Sequence, residues 1–175
     1  MELNKEFNLD PFKLDLTDAL DLNQNYQEVS HNLILDALTK KIAEELIIDK
    51  KIDPVETGVY FWILELEGKQ YKVYIGRTKS LIRRLSDYTS TFQIHSPNDY
   101  KLRFFQEFIY ENYKNANFSL FFRKCSKNDY TEIETSEIQR YKPLINLRAQ
   151  VSVEEKNKIK KAFRSYYESV FISKL

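Results

Sequence analysis

The stretch Val73-Tyr74-Ile75-Gly76-Arg77-Thr78-Lys79-Ser80-Leu81-Ile82-Arg83-Arg84-Leu85 (VYIGRTKSLIRRL) decides how this chain is read. Its first half is β-branched and aromatic up to a glycine. Its second half is a short basic run with Leu81, Ile82 and Leu85 at helical spacing. A strand therefore ends at Gly76 and a helix follows to about Tyr88, with Thr78 or Ser80 as its cap. The chain has only three glycines, at positions 58, 68 and 76, so a glycine inside this stretch calls for a reason.

Working outward, GVYFWILEL (58–66) and YKVYIG (71–76) flank Glu67-Gly68-Lys69-Gln70 and predict a β-hairpin. Ser96-Pro97-Asn98-Asp99 is a helix opener, and Leu102, Phe105, Ile109 and Tyr113 form the inward stripe of the helix behind it. FSLFFRKC (118–125) reads as a third strand, and Ser126 with Asp129 caps a helix ending near Tyr141. Pro143 to Leu147 is a loop or short strand, and a last helix spans about Val153 to Phe171, with Ile159, Ala162, Phe163 and Tyr166 at helical spacing.

Before the hairpin, an irregular or short helical lead-in (1–24) precedes a helix from Tyr26 to about Asp49. Its stripe is Leu35, Leu38, Ile42, Ala43, Leu46 and Ile47, and Lys51-Ile52-Asp53-Pro54 ends it. The expected fold is a small mixed α/β domain. A three-stranded antiparallel sheet is flanked by helices, with an N-terminal helical extension (1–54), a core (55–150) and a C-terminal helix (151–175) packed on the core or a partner.

Composition bounds the function. Of 175 residues, 42% are hydrophobic and 14% aromatic, which describes a folded globule. No run approaches the roughly 20 apolar residues of a membrane span, and the start lacks the pattern of a secretory signal. The lone Cys125 excludes an internal disulfide and a cysteine-based zinc cluster, and fits a reducing compartment. A soluble, cytoplasmic protein with no membrane association is the expectation.

Net charge is only +1, but it is segregated. Residues 1–50 hold five Lys/Arg against eleven Asp/Glu, whereas residues 69–103 hold eight Lys/Arg against two Asp. Such a local basic field can meet a polyanion. Arg77, Lys79, Arg83, Lys101 and Arg103 are the candidates for contact with such a polyanion. Arg103, Lys101, Gln106 and Asn98 are those able to reach base edges, phosphate or solvent.

Metal-dependent phosphodiester chemistry needs a hard-oxygen ligand, a base or water-positioner, and a cation facing the phosphate. Tyr60 and Tyr74 lie on the two hairpin strands, and whether they face each other depends on register. Arg84 and Tyr88, four apart, share a helix face. Glu134 and Glu137 are neighbours on one helix, and chemistry alone leaves the choice between them open. Asn146 follows the proline loop and serves as a backbone cap on the plainest reading. His31 and His95 have no second histidine at metal-ligand spacing and read as surface or satisfied side chains.

In order, these residues resemble the GIY-YIG nuclease family. Gly58-Val59-Tyr60 is similar to the first signature, with valine for isoleucine, and Tyr74-Ile75-Gly76 matches the second. The basic run ending at Arg84 resembles the segment with the family's catalytic arginine, and Tyr88 falls where members carry tyrosine or histidine. Glu134 through Pro143-Leu144-Ile145-Asn146 resembles the late motif of a metal-binding glutamate, a helix and Pro-x-x-Asn. The resemblance spans roughly 58–147 and favours Glu134 over Glu137.

The resemblance implies hydrolysis of DNA phosphodiesters with one divalent ion, Mg²⁺ (or Mn²⁺), on Glu134. Tyr60 would be general base or water-orienter, Arg84 would steady the phosphate, Tyr74 and Tyr88 would position water and phosphate oxygens, and Asn146 would brace the site. Lys69 or Lys72, beside the hairpin turn, are assisting candidates by proximity. About 57 residues precede GVY and a short tail follows Asn146, a layout similar to the compact restriction endonucleases of the family. That implies site-specific cleavage of double-stranded DNA, by a homodimer or by sequential nicking. The alternatives are a structure-specific or mobile-element endonuclease, or an inactive DNA-binding protein on the same fold.

Overall fold

A long hairpin, turning at Glu67-Gly68, forms one side of the sheet. The computed structural model describes residues 9–88 and 101–146. Its elements are α1 (Leu16–Asn25), β1 (Gln27–Ser30), α2 (Lys40–Asp49), β2 (Gly58–Leu66), β3 (Lys69–Thr78), α3 (Leu81–Tyr88), α4 (Lys101–Asn112), β4 (Asn117–Lys124) and α5 (Tyr130–Tyr141). The sheet is antiparallel in the order β1-β4-β2-β3, which is four strands rather than the expected three.

The extra strand comes from the segment expected to be helical. Only its second half is a helix. Gln27–Ser30 pairs with β4, a 3-10 turn spans Leu35–Ala37, and Thr39 caps α2 by accepting from the Ile42 amide at 3.2 Å. Pairing explains the difference. Without β1, the outer edge of β4 would leave its backbone groups unmatched, and Val29 fills the core beneath it. Of the expected stripe, Leu35, Leu38, Ala43 and Ile47 are buried, but from a turn and a helix instead of one helix, and Ile42 is exposed.

The two faces of the sheet carry separate apolar clusters. Tyr60, Trp62 and Leu64 of β2 point to the side packed by α2, α3 and α4, where Leu81, Leu85, Leu102, Phe105 and Ile109 are buried. Val59, Phe61 and Ile63 point to the side packed by α1 and α5, where Leu22 and Tyr141 are buried. Here Phe61 meets the rings of Tyr26 and Tyr141 edge-on, at 5.9 and 5.0 Å between centroids.

Local signals explain the helix starts. Ser80 is the cap of α3, its Oγ accepting from the Arg83 amide at 3.3 Å and donating to the Pro54 carbonyl at 2.8 Å. Thr78 instead folds its hydroxyl onto the Ser80 backbone. Ser126 and Asp129 bond each other at the start of α5, as their spacing predicts. The opener at 96–99 and the helix expected from Val153 lie outside the described residues. Among the described residues no helix is long and apolar enough to cross a membrane.

β3 is an edge strand, and other segments cover part of that edge. Lys13 bridges Tyr71, and the Leu14 amide donates to the Gln70 carbonyl. Further along, the amides of Leu144 and Ile145 donate to the carbonyls of Lys72 and Val73. This cover runs to Ile75, next to Gly76.

Candidate active site

Tyr60 and Gly76 are direct partners in the β2–β3 ladder. A Cβ built on Gly76 would fall inside the hydroxyl and ring of Tyr60, so the missing side chain leaves room for this aromatic against the edge strand. Gly58 does the same job on the other side of β2, where a Cβ would meet the Phe122 ring and the Arg123 carbonyl. Both signature glycines are thus sites of close approach.

A bulge then aims Tyr74. Pairing passes from Trp62 opposite Tyr74 to Ile63 opposite Lys72, leaving Val73 as the extra residue. Residues opposite each other in a ladder share a face, so Tyr60, Trp62 and Tyr74 point the same way. The Tyr60 and Tyr74 rings lie 6.0 Å apart. From α3, Arg84 sets its guanidinium carbon 5.8 Å from the centre of the Tyr60 ring, and Tyr88 meets Trp62 edge-on at 5.9 Å. The structure therefore gathers Tyr60, Tyr74, Arg84 and Tyr88 in one cluster.

Electrostatics follow from burial. Tyr60 is 2% exposed, and desolvation pushes its phenol well above the ordinary value; the nearby Tyr88 and Tyr74 add to this, and Arg84 offsets only part of it. Tyr60 is accordingly a neutral phenol that donates to the Tyr88 oxygen. Desolvation pushes Tyr88 up to about 12, with Arg84 and the donated bond pulling the other way. The Trp62 N–H faces the same oxygen, yet it is buried without a partner in hydrogen-bonding geometry. Arg84 reaches Asp87 at 3.6 Å, while its Nε is buried without a hydrogen-bond partner. The guanidinium thus retains donor capacity inside the cluster.

The two acids of α5 part company. Glu137 is buried, accepts from the Tyr26 hydroxyl at 2.7 Å and lies 3.7 Å from Arg123. Its carboxylate is committed to holding α1 and β4 against α5. Glu134 sits one turn earlier, partly exposed, with its Oε2 3.0 Å from Nη1 of Arg77. Arg77 also lies 5.3 Å from the centre of the Tyr130 ring. Arg77 pairs with Val59 in the ladder, so this group stands on the sheet face opposite the tyrosine cluster, with the side-chain-less Gly76 beside it. The candidate residues therefore straddle the β3 edge rather than meet on one face.

Asn146 bridges that edge. Its Oδ1 accepts from the Ile75 amide at 2.7 Å and its Nδ2 donates to the Ile75 carbonyl at 2.8 Å. Its side chain mimics one residue of a neighbouring strand, beside Gly76. A bracing function is what this geometry does physically.

Other candidates lie elsewhere. Lys69 opens β3 at the far end of the hairpin, seven residues and roughly 23 Å along the strand from Gly76. Lys72 is buried and pairs with Asp18 of α1 at 3.6 Å. Both lysines lie toward the turn, whereas Tyr60 and Gly76 sit at the opposite end of the strands. Gln106 is not a base reader. It is buried, accepts from the Leu35 amide and donates to the Leu33 carbonyl. Lys79 and Arg83 are exposed around the start of α3. Lys101 and Arg103 lie on the first turn of α4, and their side chains, like Asn98, are outside the described residues. Sequence reasoning missed Tyr130 and Trp62. Tyr130 stands four residues before Glu134, a spacing that marks a shared helix face.

Of the two α5 acids, Glu134 is the one that stays partly exposed to a divalent cation. Among the described residues there is no group of three or more His, Cys, Asp or Glu arranged to hold a metal. A hard ion that keeps most of its waters fits one carboxylate, and Glu134 already receives a cation, the Arg77 guanidinium.

No family model and no curated protein matches the chain. Among solved structures it is similar to the GIY-YIG N-terminal endonuclease domain of UvrC from Thermotoga maritima bound to magnesium. Identity is 22% and the TM-score 0.36, over 62% of this chain and all of that one. A tyrosine-to-phenylalanine variant of that domain, also bound to its divalent cation, gives 22% and 0.35 over 63% of this chain.

Proposed function

We propose that this chain is a metal-dependent deoxyribonuclease of the GIY-YIG type, hydrolysing phosphodiester bonds in double-stranded DNA at specific sites, as a restriction endonuclease does. The observation that carries it is the packing of Tyr60, Tyr74, Tyr88 and Arg84 into one cluster beside a glycine whose only evident purpose is to admit Tyr60. Core packing alone needs neither a half-buried guanidinium with an unpartnered Nε nor three tyrosines around it.

In this reading Glu134 holds Mg²⁺ or Mn²⁺, which when bound acts as Lewis acid on a phosphoryl oxygen. Arg84 receives the phosphate on its remaining donors. Tyr60 orients the attacking water instead of deprotonating it, because its raised pKa keeps it a neutral phenol. Tyr74 and Tyr88 fix the surrounding oxygens, and Asn146 holds the strand edge at Ile75. Lys79 and Arg83 meet the DNA backbone. A core of residues 55–150 carries the chemistry, the segments on either side carry site recognition, and cutting both strands falls to a homodimer.

Incubation of the protein with plasmid and phage DNA, with Mg²⁺ or with EDTA, beside Glu134→Ala, tests this. Discrete Mg²⁺-dependent fragments missing from the variant support it. Nicking or smearing that still needs Glu134 moves the assignment to a structure-specific or mobile-element enzyme. A DNA mobility shift without cleavage, with or without Glu134, leaves an inactive binding protein.

A further inference from the structure

Arg77 stands directly after the Tyr-Ile-Gly signature, where the sequence reading sends it to DNA, yet its guanidinium is on the Glu134 carboxylate at 3.0 Å. The contact is built. The ladder fixes Arg77 on the α5 side opposite Val59, Tyr130 supports the guanidinium from below at 5.3 Å, and Tyr130 and Glu134 lie one turn apart on α5. Both partners are partly shielded, with Arg77 40% and Glu134 19% exposed, so the attraction is stronger than that of a fully exposed pair.

We propose that Arg77 is an internal counter-ion on Glu134 which a divalent cation must displace, so that metal binding and the release of Arg77 toward a phosphate are one coupled event. The inference rests on the reading of Glu134 as the metal ligand. Its physical basis is that a carboxylate oxygen carrying a guanidinium at hydrogen-bonding distance cannot also bind a dication closely without bringing like charges together. Two consequences follow. Arg77 weakens the intrinsic metal affinity of the site, and an anion that draws Arg77 away strengthens it, by the reciprocity of linkage. In the absence of metal, the pair keeps Glu134 neutralised and ordered rather than presenting a bare carboxylate to the polyanion.

Calorimetric titration of Mn²⁺ and Mg²⁺ into the wild-type chain, Arg77→Gln, Arg77→Lys, Glu134→Gln and Arg77→Gln/Glu134→Gln, at low ionic strength and without DNA, tests the proposal. Arg77→Gln is expected to bind metal about tenfold more tightly than wild type, and Arg77→Lys to stay near wild type. Glu134→Gln and the double variant should lose the site. An independent readout needs no variant to fold: Mg²⁺ added to ¹⁵N-arginine-labelled wild type should shift the Arg77 side-chain resonances with the calorimetric midpoint. Unchanged or weaker binding by Arg77→Gln, with binding still lost in Glu134→Gln, overturns the counter-ion role and leaves the metal ligand intact. Arg77 resonances that ignore Mg²⁺ overturn it equally. Metal binding that survives in Glu134→Gln overturns the ligand assignment itself.

Discussion

Replacing Gly76 by alanine asks whether the signature glycine is there for space. Its Cβ would lie 2.9 Å from Cε2 of Tyr60, with Cζ and the hydroxyl nearer still, where carbon atoms settle at roughly 3.5–4.0 Å. Tyr60 must then shift by about 1 Å or the strands must part. The ring is 2% exposed and hemmed in by Tyr74, Tyr88 and Arg84, so it has little room to yield. Overpacking of this kind costs about 1–3 kcal/mol. A misplacement of about 1 Å in a positioning group lowers turnover by about a hundredfold. Urea unfolding and a plasmid-cleavage time course measure the two effects. Gly68→Ala is the control. It strains a turn at φ 73° but adds a methyl with nothing within 4 Å, so it should lower stability and leave cleavage alone. In the Gly76→Ala background, Tyr60→Phe removes one of the clashing atoms and should restore part of the stability, making the two changes non-additive. A Gly76→Ala protein within about 0.5 kcal/mol of wild type, with additive effects at Tyr60, would refute the steric argument.

Asn146→Asp should destabilise more than Asn146→Ala, although it is the closer isostere. A carboxylate oxygen would then face the Ile75 carbonyl, whereas alanine only gives up two bonds worth about 1 kcal/mol each; equal urea midpoints would count against this. Tyr26→Phe removes a donor from buried Glu137 and should cost about 1–3 kcal/mol, while cleavage measured below the unfolding range is unchanged. Folded pKa values of Tyr26, Tyr60, Tyr88 and Tyr141 all lie above the unfolded value of about 10. Their contribution to stability is therefore fully present below about pH 10 and is lost as pH rises beyond it. Absorbance at 295 nm should show these tyrosines ionising together with alkaline unfolding, and a smooth titration of all twelve in the folded state would contradict the burial argument.

How much of this was legible in the sequence depended on the range of the interaction. The hairpin, the Ser80 cap, the Ser126–Asp129 pair before α5 and the burial of Leu102, Phe105 and Ile109 on α4 are decided within a few residues and stand as read. Tyr113, by contrast, falls past the end of α4 and is only partly buried. β1 was not legible. QEVS has too little alternation to announce a strand, and it forms one because β4 offers it an edge. The bulge at Val73 was also beyond reach, since nothing in YKVYIG says which residue the ladder will skip. Yet that skip decides whether Tyr74 joins Tyr60. The choice between Glu134 and Glu137 shows the same limit from the other side. Their spacing on α5 is equivalent, and only the buried arrival of Tyr26 and Arg123, distant in sequence, commits Glu137 to structure.

The acidic lead of the chain finds its meaning in the same long-range contacts. An excess of six negative charges over residues 1–50 would repel DNA if it faced the groove. Instead Asp18 pairs with Lys72 at 3.6 Å. Asp21 accepts from Tyr141 at 2.5 Å and pairs with Arg140 at 2.8 Å. α1 thus spends its charge on β3 and α5, fastening the helix that carries Glu134 to the strand that carries Gly76. Cations left outward after this pairing include Lys79 and Arg83, around the start of α3 and next to the tyrosine cluster. Segregation of charge along the chain becomes neutralisation on the α1 side of the sheet and a basic surface beside the candidate site. A nearly neutral protein can therefore still present a local field to a phosphate backbone.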